Sequence, residues 1–294
     1  MSARAKNKTS SQIIRVKNGV SSAPRRDYLA TEEPLELRLR AGHEERTLAI
    51  TMRTPGADFE LAAGFLFAEG VIASRDELKQ ISYCLDKTVT EEQRYNIVRI
   101  ALKAQGLPEL ASLERHFFTT SACGVCGKAS LDALTERGLK AAQSTLEVRA
   151  EVIQALPDTL REAQGLFETT GGLHAAALFT SDGDLLAIRE DIGRHNAMDK
   201  LIGWALLEAI SLEETLVMVS GRASYELLQK AVTARIPIFC AVSAPSSLAV
   251  SVAKRFDTTL VGFLREDGFN IYHAQERIQF AKEEVLNDQK VASK

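Results

Sequence analysis

The chain predicts an α/β protein whose first lobe is α+β and whose second half is a sheet with helices on both faces. Two observations predict this. From Glu151 onward, short apolar strands alternate with amphipathic helices, the pattern of a largely parallel sheet wrapped on both sides. Earlier, two alternating segments flank a turn and a helical stretch follows them, which is a hairpin-plus-helix unit. The division that results is a polar N-terminal tail over 1–30, an α+β lobe over 31–118, a cysteine-bearing loop over 119–130 and an α/β lobe over 131–294.

Met1–Asp27 is rich in Lys, Arg, Ser and Asn, broken only by Ile13, Ile14 and Val16, so a tail with one short strand is expected. Leu35–Leu39 and Leu48–Met52 alternate around Ala41-Gly42-His43 and predict a hairpin. Thr54-Pro55-Gly56 then opens a helix whose apolar face is Phe59, Ala62, Ala63, Phe65 and Leu66, closed by Gly70. Tyr95–Leu102 reads as a strand. In the second half, Leu173–Phe179 and Leu185–Ile188 flank Ser181-Asp182-Gly183 and predict another hairpin. Helices are expected at Asn196–Ile210, Ser224–Ala234 and Ser247–Arg255, and strands at Thr215–Val219, Ile236–Val242 and Thr259–Leu264.

Composition removes several function classes. The formal charge of -3 gives no global basic field for nucleic acid. No apolar run approaches a membrane span and the start lacks a signal-peptide core, so a cytoplasmic protein without nucleic-acid or membrane partners is expected. Cys84 and Cys240 sit in apolar stretches, where cysteine serves as a small core hydrophobe.

The other two cysteines differ. Ser121–Lys128 places Cys123 and Cys126 in a CxxC pair with Gly124 and Gly127 after them, a loop that leaves both sulfurs accessible. Leu131 and Leu134 follow at helical spacing, so Cys126–Lys128 lie near a helix N-terminus, where the dipole favours thiolate, and Lys128 adds positive charge. A structural zinc site needs four ligands and this sequence offers one CxxC. A thioredoxin-like exchanger carries its pair in an early βαβ unit, and here more than a hundred residues precede it. Thiol chemistry of another kind is the favoured reading. His43-Glu44-Glu45 matches half of a zinc-deaminase signature, but it falls on the hairpin turn and reads as solvated.

Three polar turns mark the second half: Asp191–His195, Ser220–Ser224 and Ser243–Ser247. In an open parallel sheet such turns gather at the carboxyl ends of the strands, where ligands bind. Each opens a helix with free N–H groups that suit phosphate, and Arg194 and Arg222 could clamp it. For any single turn, plain N-capping by Ser220, Ser243 or Ser246 is the competing explanation. Neither a P-loop nor a dinucleotide fingerprint is present.

Taken together, Ser121–Ser130, Thr170–Phe179, Arg189–Gly203, Ser220–Ala231, Val242–Val250 and Leu260–Tyr272 resemble the FdhD family, the formate dehydrogenase accessory sulfurtransferases. Leu35–Gly70 fits the family's first lobe more weakly. Two positions depart from the pattern: Asp257 stands where a helix-ending glycine is expected, and Ala274 where proline is. The resemblance implies a cytidine-deaminase-like three-layer fold without the catalytic zinc, and a homodimer. It also implies a sulfurtransferase that takes persulfide sulfur from a cysteine desulfurase. That sulfur passes to the Mo or W of a bis(molybdopterin guanine dinucleotide) cofactor, bound as substrate and mimicked by GDP, which then serves formate dehydrogenase. By motif, Cys123 is the persulfide residue and Cys126 its assistant. The cofactor-binding stretch is Phe263-Leu264-Arg265-Glu266-Asp267-Gly268, alongside Arg194, His195, Ser220, Gly221 and Arg222 of the turns. The competing reading is a non-catalytic chaperone whose cysteines only hold the cofactor.

Overall fold

Period-two burial organises the first lobe. Leu35, Leu37 and Leu39 are fully buried, while the intervening Glu36, Arg38 and Arg40 reach solvent. A computed structural model describes residues 6–84, 90, 93–108 and 127–281. The chain begins with β1 (Lys8–Ile13), β2 (Val16–Lys17), β3 (Val20–Ser21) and β4 (Arg25–Ala30), where the sequence reading has one strand in a tail. β1 pairs antiparallel with β4 and β2 with β3. Asn18 and Gly19 carry φ of 51° and 80° between β2 and β3, the double left-handed turn that closes a two-residue hairpin. Backbone ladder and turn chemistry build this ribbon without an apolar face.

Strands β5 (Glu33–Ala41), β6 (Glu44–Arg53), β7 (Leu78–Tyr83) and β8 (Ile97–Leu102) form a sheet ordered β6-β5-β8-β7. His43, on the β5–β6 turn, is exposed as expected. Helix α1 (Asp58–Ala68) lays Leu61, Ala62 and Leu66 on Leu35, Leu37, Leu39, Val98 and Ile100. Asp58, in its first turn, receives two 3.0 Å bonds from the fully buried Arg53, which also reaches the Asn96 side chain and the Tyr95 carbonyl.

The second lobe contains α2 (Gly127–Glu136), β9 (Val148–Arg149), α3 (Ala150–Ala163), α4 (Gly165–Thr170), β10 (His174–Phe179), β11 (Leu185–Asp191) and α5 (Arg194–Leu207). There follow β12 (Leu216–Val219), α6 (Tyr225–Thr233), β13 (Ile238–Ala241), α7 (Ser247–Arg255), β14 (Thr259–Arg265), β15 (Gly268–His273) and β16 (Ile278–Gln279). Its main sheet runs β11-β10-β12-β13-β14-β15. The expected layers are present: α5, α6 and α7 share one core with the sheet, and α3 covers the other face. Parallel pairing holds for β12, β13 and β14; β10 and β11 form the expected hairpin, and β10 against β12 and β15 against β14 are antiparallel. The reason is local, because the turns at Thr180–Asp184 and Arg265–Gly268 are too short for a crossover. Asp257 takes φ 49°, the left-handed conformation for which glycine is expected and which Asp tolerates. Ala274 takes φ 56°, which proline cannot adopt, so the backbone there differs from the pattern.

The lobes join where α1 crosses α5. A Cβ on Gly64 would overlap the Asp199 carbonyl and the Gly203 nitrogen, and one on Gly203 would overlap the Glu60 carbonyl and the Gly64 nitrogen. Only paired glycines let these backbones touch. Around the crossing, Arg189 grips Glu60 through two bonds, and Lys200 lies 2.6 Å from Asp191 and donates to the Thr54 carbonyl at 2.8 Å. Below it, Lys230 of α6 meets Asp199 of α5 at 2.7 Å and Glu69 after α1 at 3.6 Å. Burial pushes the Asp199 carboxyl up to about 6, with Lys230 pulling the other way.

Cys84 and Cys240 are fully buried, as their apolar contexts predict. Cys123 and Cys126 lie outside the described residues. Helix α2 begins at Gly127, the residue after Cys126, and is anchored by buried Leu134 and by Arg137, which donates to the Ala68 carbonyl at 3.0 Å.

Candidate functional site at the carboxyl edge of the sheet

Because β10 is antiparallel to β12 and β11 antiparallel to β10, the start of β10 and the end of β11 share an edge with the carboxyl ends of β12 and β13. That edge gathers His174, Asp191–Asn196, Ser220–Ser224 and Ser243–Ser247. The turns are knitted by main-chain bonds: Ser243 N to the Gly221 carbonyl at 3.3 Å, Ser246 N to the Ala223 carbonyl at 2.9 Å, and Val242 N to the Val219 carbonyl at 3.2 Å. The first lobe borders the same edge, since Asn196 donates to the Met52 carbonyl at 2.7 Å and Thr54 N donates to Asp191 at 3.1 Å.

Plain capping accounts for one of the three turns. Ser246 accepts from Ala249 N at 3.1 Å and caps α7. At α5 and α6 the N-cap residues, Gly193 and Ser224, make no side-chain cap bond. Ser220 is otherwise engaged: its hydroxyl accepts from Ala175 N at 2.9 Å and holds the first residues of β10 in place. Two helix N-termini of 14 and 9 residues therefore face this edge without side-chain caps.

Positive charge converges on them. Arg194 begins α5; its Nε is buried and has no hydrogen-bond partner among the described residues. Arg222 is exposed, without a partner among the described residues. His195 stands 3.4 Å from the Ser224 hydroxyl and 3.7 Å from Glu226, whose carboxyl it holds down at about 2. His174 lies beside Gly221, and burial, then Arg194 and His195, keep its pKa below the ordinary value of 6.5. Asp191 is fully buried and neutralised by Lys200, with its carboxylate also accepting from Gly193 N and Asn196. The arrangement favours an anion.

The His174 shift carries a sign. Its native form binds fewer protons than the unfolded chain below pH 6.5, so its contribution to stability is complete above that pH and is lost as pH falls. An anion beside it reverses the cause. The NMR titration midpoint of His174 is expected below 6.5 in the free protein and higher with GDP bound; a midpoint that GDP leaves unmoved places the phosphates elsewhere.

The stretch Phe263–Gly268 adds an apolar element. Register slips between Gly262 and Arg265 against β15, and within this bulge Phe263 adopts φ 54° with 45% of its surface exposed. A bulky residue held in the left-handed region is strained, and bulges re-aim side chains. Gly262 makes room for it: a Cβ there would come within 2.9 Å of Pro245 and 3.3 Å of the Ser243 carbonyl. Phe263 N donates to that Ser243 carbonyl at 3.2 Å, which ties the bulge to the third turn. The other members of the stretch divide. Leu264 turns its side chain into the core under α3 and is fully buried there. Arg265 donates to the Val242 carbonyl at 2.6 Å, so its guanidinium braces the turn, while Glu266 and Asp267 are exposed at the hairpin tip before Gly268. The structure thus brings Arg194, His195, Ser220, Gly221 and Arg222 to one edge, with Phe263 bulging beside the Ser243 turn. Sequence reasoning missed His174 and Glu226, although both lie in stretches that carry the resemblance, Thr170–Phe179 and Ser220–Ala231.

A sequence model of the FdhD/NarQ family matches residues 30–279. The chain belongs to the FdhD/NarQ family. A relative from Streptomyces avermitilis named sulfur carrier protein FdhD is 53% identical over 91% of this chain and 94% of its own length. Relatives of the same name from Mycobacterium tuberculosis, at 51% over 86% of this chain and 92% of their own, and from Sulfurisphaera tokodaii, at 42% over 91% and 97%, extend the likeness across distant hosts. The fold is similar to that of a Desulfotalea psychrophila protein assigned as a formate dehydrogenase accessory protein. There the TM-score is 0.71 and the identity 24%, over 93% of this chain and all of that one. No helix among the described residues is long and apolar enough to cross a membrane.

Proposed function

We propose that this FdhD/NarQ-family chain is a cytoplasmic sulfurtransferase that loads sulfur on Cys123 from a cysteine desulfurase. It delivers that sulfur to the Mo or W of a bis(molybdopterin guanine dinucleotide) cofactor destined for formate dehydrogenase. The observation that carries the sulfur half is the 53% identity, over nine-tenths of the chain, to a protein named for sulfur carriage. In the loading step the Cys123 thiolate attacks the terminal sulfur of the donor persulfide. A new S–S bond forms at Cys123, the donor's S–S bond breaks, and the donor cysteine leaves as thiolate. Cys126 assists as the second thiol of the pair.

The nucleotide half is supported by the uncapped, cation-rich edge. Arg194, Arg222 and the N–H groups opening α5 and α6 would take the phosphates of a guanine nucleotide end, and Phe263 would offer an apolar face to the base. The reading as a cofactor-holding chaperone differs in one outcome, because only the sulfurtransferase gains the mass of one sulfur when incubated with desulfurase and cysteine.

The nucleotide assignment is tested by calorimetric titration with GDP. Arg222→Ala removes a charge-assisted phosphate contact of about 1.5–3 kcal/mol, so affinity is expected to fall tenfold or more. Sulfur loading on Cys123 should be unchanged in the same variant, since docking of the donor uses no nucleotide. Equal GDP affinity in the two proteins, or no GDP binding by the wild type, overturns the placement.

A further inference from the structure

Thr54 is the first residue after β6 and is 1% exposed. Arg53 before it is fully buried and is fixed by Asp58, Asn96 and the Tyr95 carbonyl, while Pro55 after it biases Thr54 toward extended backbone. Its N–H, hydroxyl and carbonyl are all bonded to the other lobe. The N–H donates to Asp191 Oδ2 at 3.1 Å, the hydroxyl accepts from Ile192 N at 3.2 Å, and the carbonyl accepts from Lys200 Nζ at 2.8 Å. One residue of the first lobe thus holds, at three points, the turn that opens α5 and the lysine behind it.

That turn combines two opposed features. Arg194 and the first N–H groups of α5 suit an anion, yet Asp191 brings a carboxylate within two residues of them. The carboxylate is occupied on both oxygens: Oδ2 takes the Thr54 N–H and lies 2.6 Å from Lys200 Nζ, and Oδ1 takes Gly193 N at 2.9 Å and Asn196 Nδ2 at 3.0 Å. Lys200 balances its charge, and both groups are buried in the lobe junction. At 1% exposure Thr54 itself cannot touch a ligand, so any effect it has on one passes through the turn.

We infer that Thr54 is a positioning residue for phosphate at this edge. It turns Asp191 into the lobe junction and fixes Ile192, so that the N-terminus of α5 and Arg194 are presented to phosphate without the repulsion of a nearby carboxylate. This inference rests on the nucleotide reading above. Its consequence is that the first lobe, from which that reading takes no phosphate contact, sets how tightly the phosphates are held. The physical reason is the Ile192 amide: without the Thr54 hydroxyl it has lost its acceptor, and the turn must shift to find another. Charge-assisted bonds depend on distance and angle, so a shifted turn binds phosphate less well. A residue that merely joined the lobes would lower stability without singling out the phosphate part of a ligand.

Titration of the full chain with GDP and with guanosine, which has no phosphate, tests this. Thr54→Val keeps the shape, the N–H and the carbonyl and removes only the hydroxyl; its GDP affinity is expected to fall about fivefold or more, the effect of one lost hydrogen bond. Guanosine should bind both proteins alike, and Thr54→Ser, which keeps the hydroxyl, should bind GDP as the wild type does. Thr233→Val loses a hydroxyl bond of 2.9 Å to the Gln229 carbonyl at the far end of α6 and should retain full GDP affinity. A measurement on the wild type alone completes the set, because GDP should slow hydrogen exchange at the Thr54 and Ile192 amides. Exchange there that GDP leaves unchanged, or a Thr54→Val chain that loses GDP and guanosine equally, overturns the inference. A wild type that binds no GDP removes the nucleotide reading and this inference together, whereas a wild type that binds GDP no better than Thr54→Val removes the inference alone.

Discussion

Cys123→Ala is expected to gain no sulfur from desulfurase and cysteine and to leave formate dehydrogenase inactive, with an unchanged melting temperature. The effect should be complete, because the substitution removes the nucleophile rather than a contact to it. The two buried thiols cannot substitute. Cys240 is fully buried and its thiol is pushed up to about 12 by burial, so almost no thiolate exists at neutral pH and no donor sulfur reaches it. Cys84 is equally buried. Cys84→Ala and Cys240→Ala should therefore load sulfur normally, at a stability cost of about 1 kcal/mol each from the lost packing. Intact-mass spectrometry after desulfurase treatment decides the matter: a Cys123→Ala chain that still carries one extra sulfur on the loop removes that residue from the role.

Lys230→Met should destabilise the protein by about 3–5 kcal/mol without touching the proposed nucleotide edge. Lys230 is the cation between Asp199 and Glu69, and its loss leaves Asp199, 2% exposed, as a carboxylate with no salt-bridge partner among the described residues. The pH dependence follows from the sign of that group. Burial already raises Asp199 to about 6, and removing Lys230 removes the interaction that opposes the rise. The native variant then binds more protons than its unfolded chain at every pH between the ordinary carboxylate value and the raised one. Stability must fall as pH increases through that window. Urea denaturation at pH 5 and pH 8 should show the larger deficit at pH 8. Lys230→Met/Asp199→Asn, which deletes the charge along with its partner, should recover most of the loss. An additive double variant, or a deficit independent of pH, would show that Lys230 contributes only packing.

Local chemistry makes much of this molecule legible in its residues. The hairpin at Gly42-His43, the helix after Pro55 and the strand-helix alternation beyond Glu151 follow from side-chain period and turn residues, which act over a few positions. The N-terminal ribbon has a signal too, in the Asn18-Gly19 pair, but the polar composition around it reads as a tail. For the CxxC pair, glycine spacing and ligand count point only to thiol chemistry, and the sulfur-relay expectation comes from the family resemblance.

Contacts between distant residues are another matter. Asp191, Lys200 and Thr54 come together only when α1 crosses α5, and that crossing depends on Gly64 and Gly203, each ordinary within its own helix. His174 joins the polar edge because β10 runs antiparallel to β12, a direction set by the short turn between β10 and β11. Phe263 and Leu264 are adjacent in sequence, yet one bulges to solvent and the other closes the core, since a register slip against β15 turns them apart. Strands and helices are thus written in short stretches of residues. Which polar turns become a common surface is settled by packing, because burial and charge pairing are properties of neighbours in space.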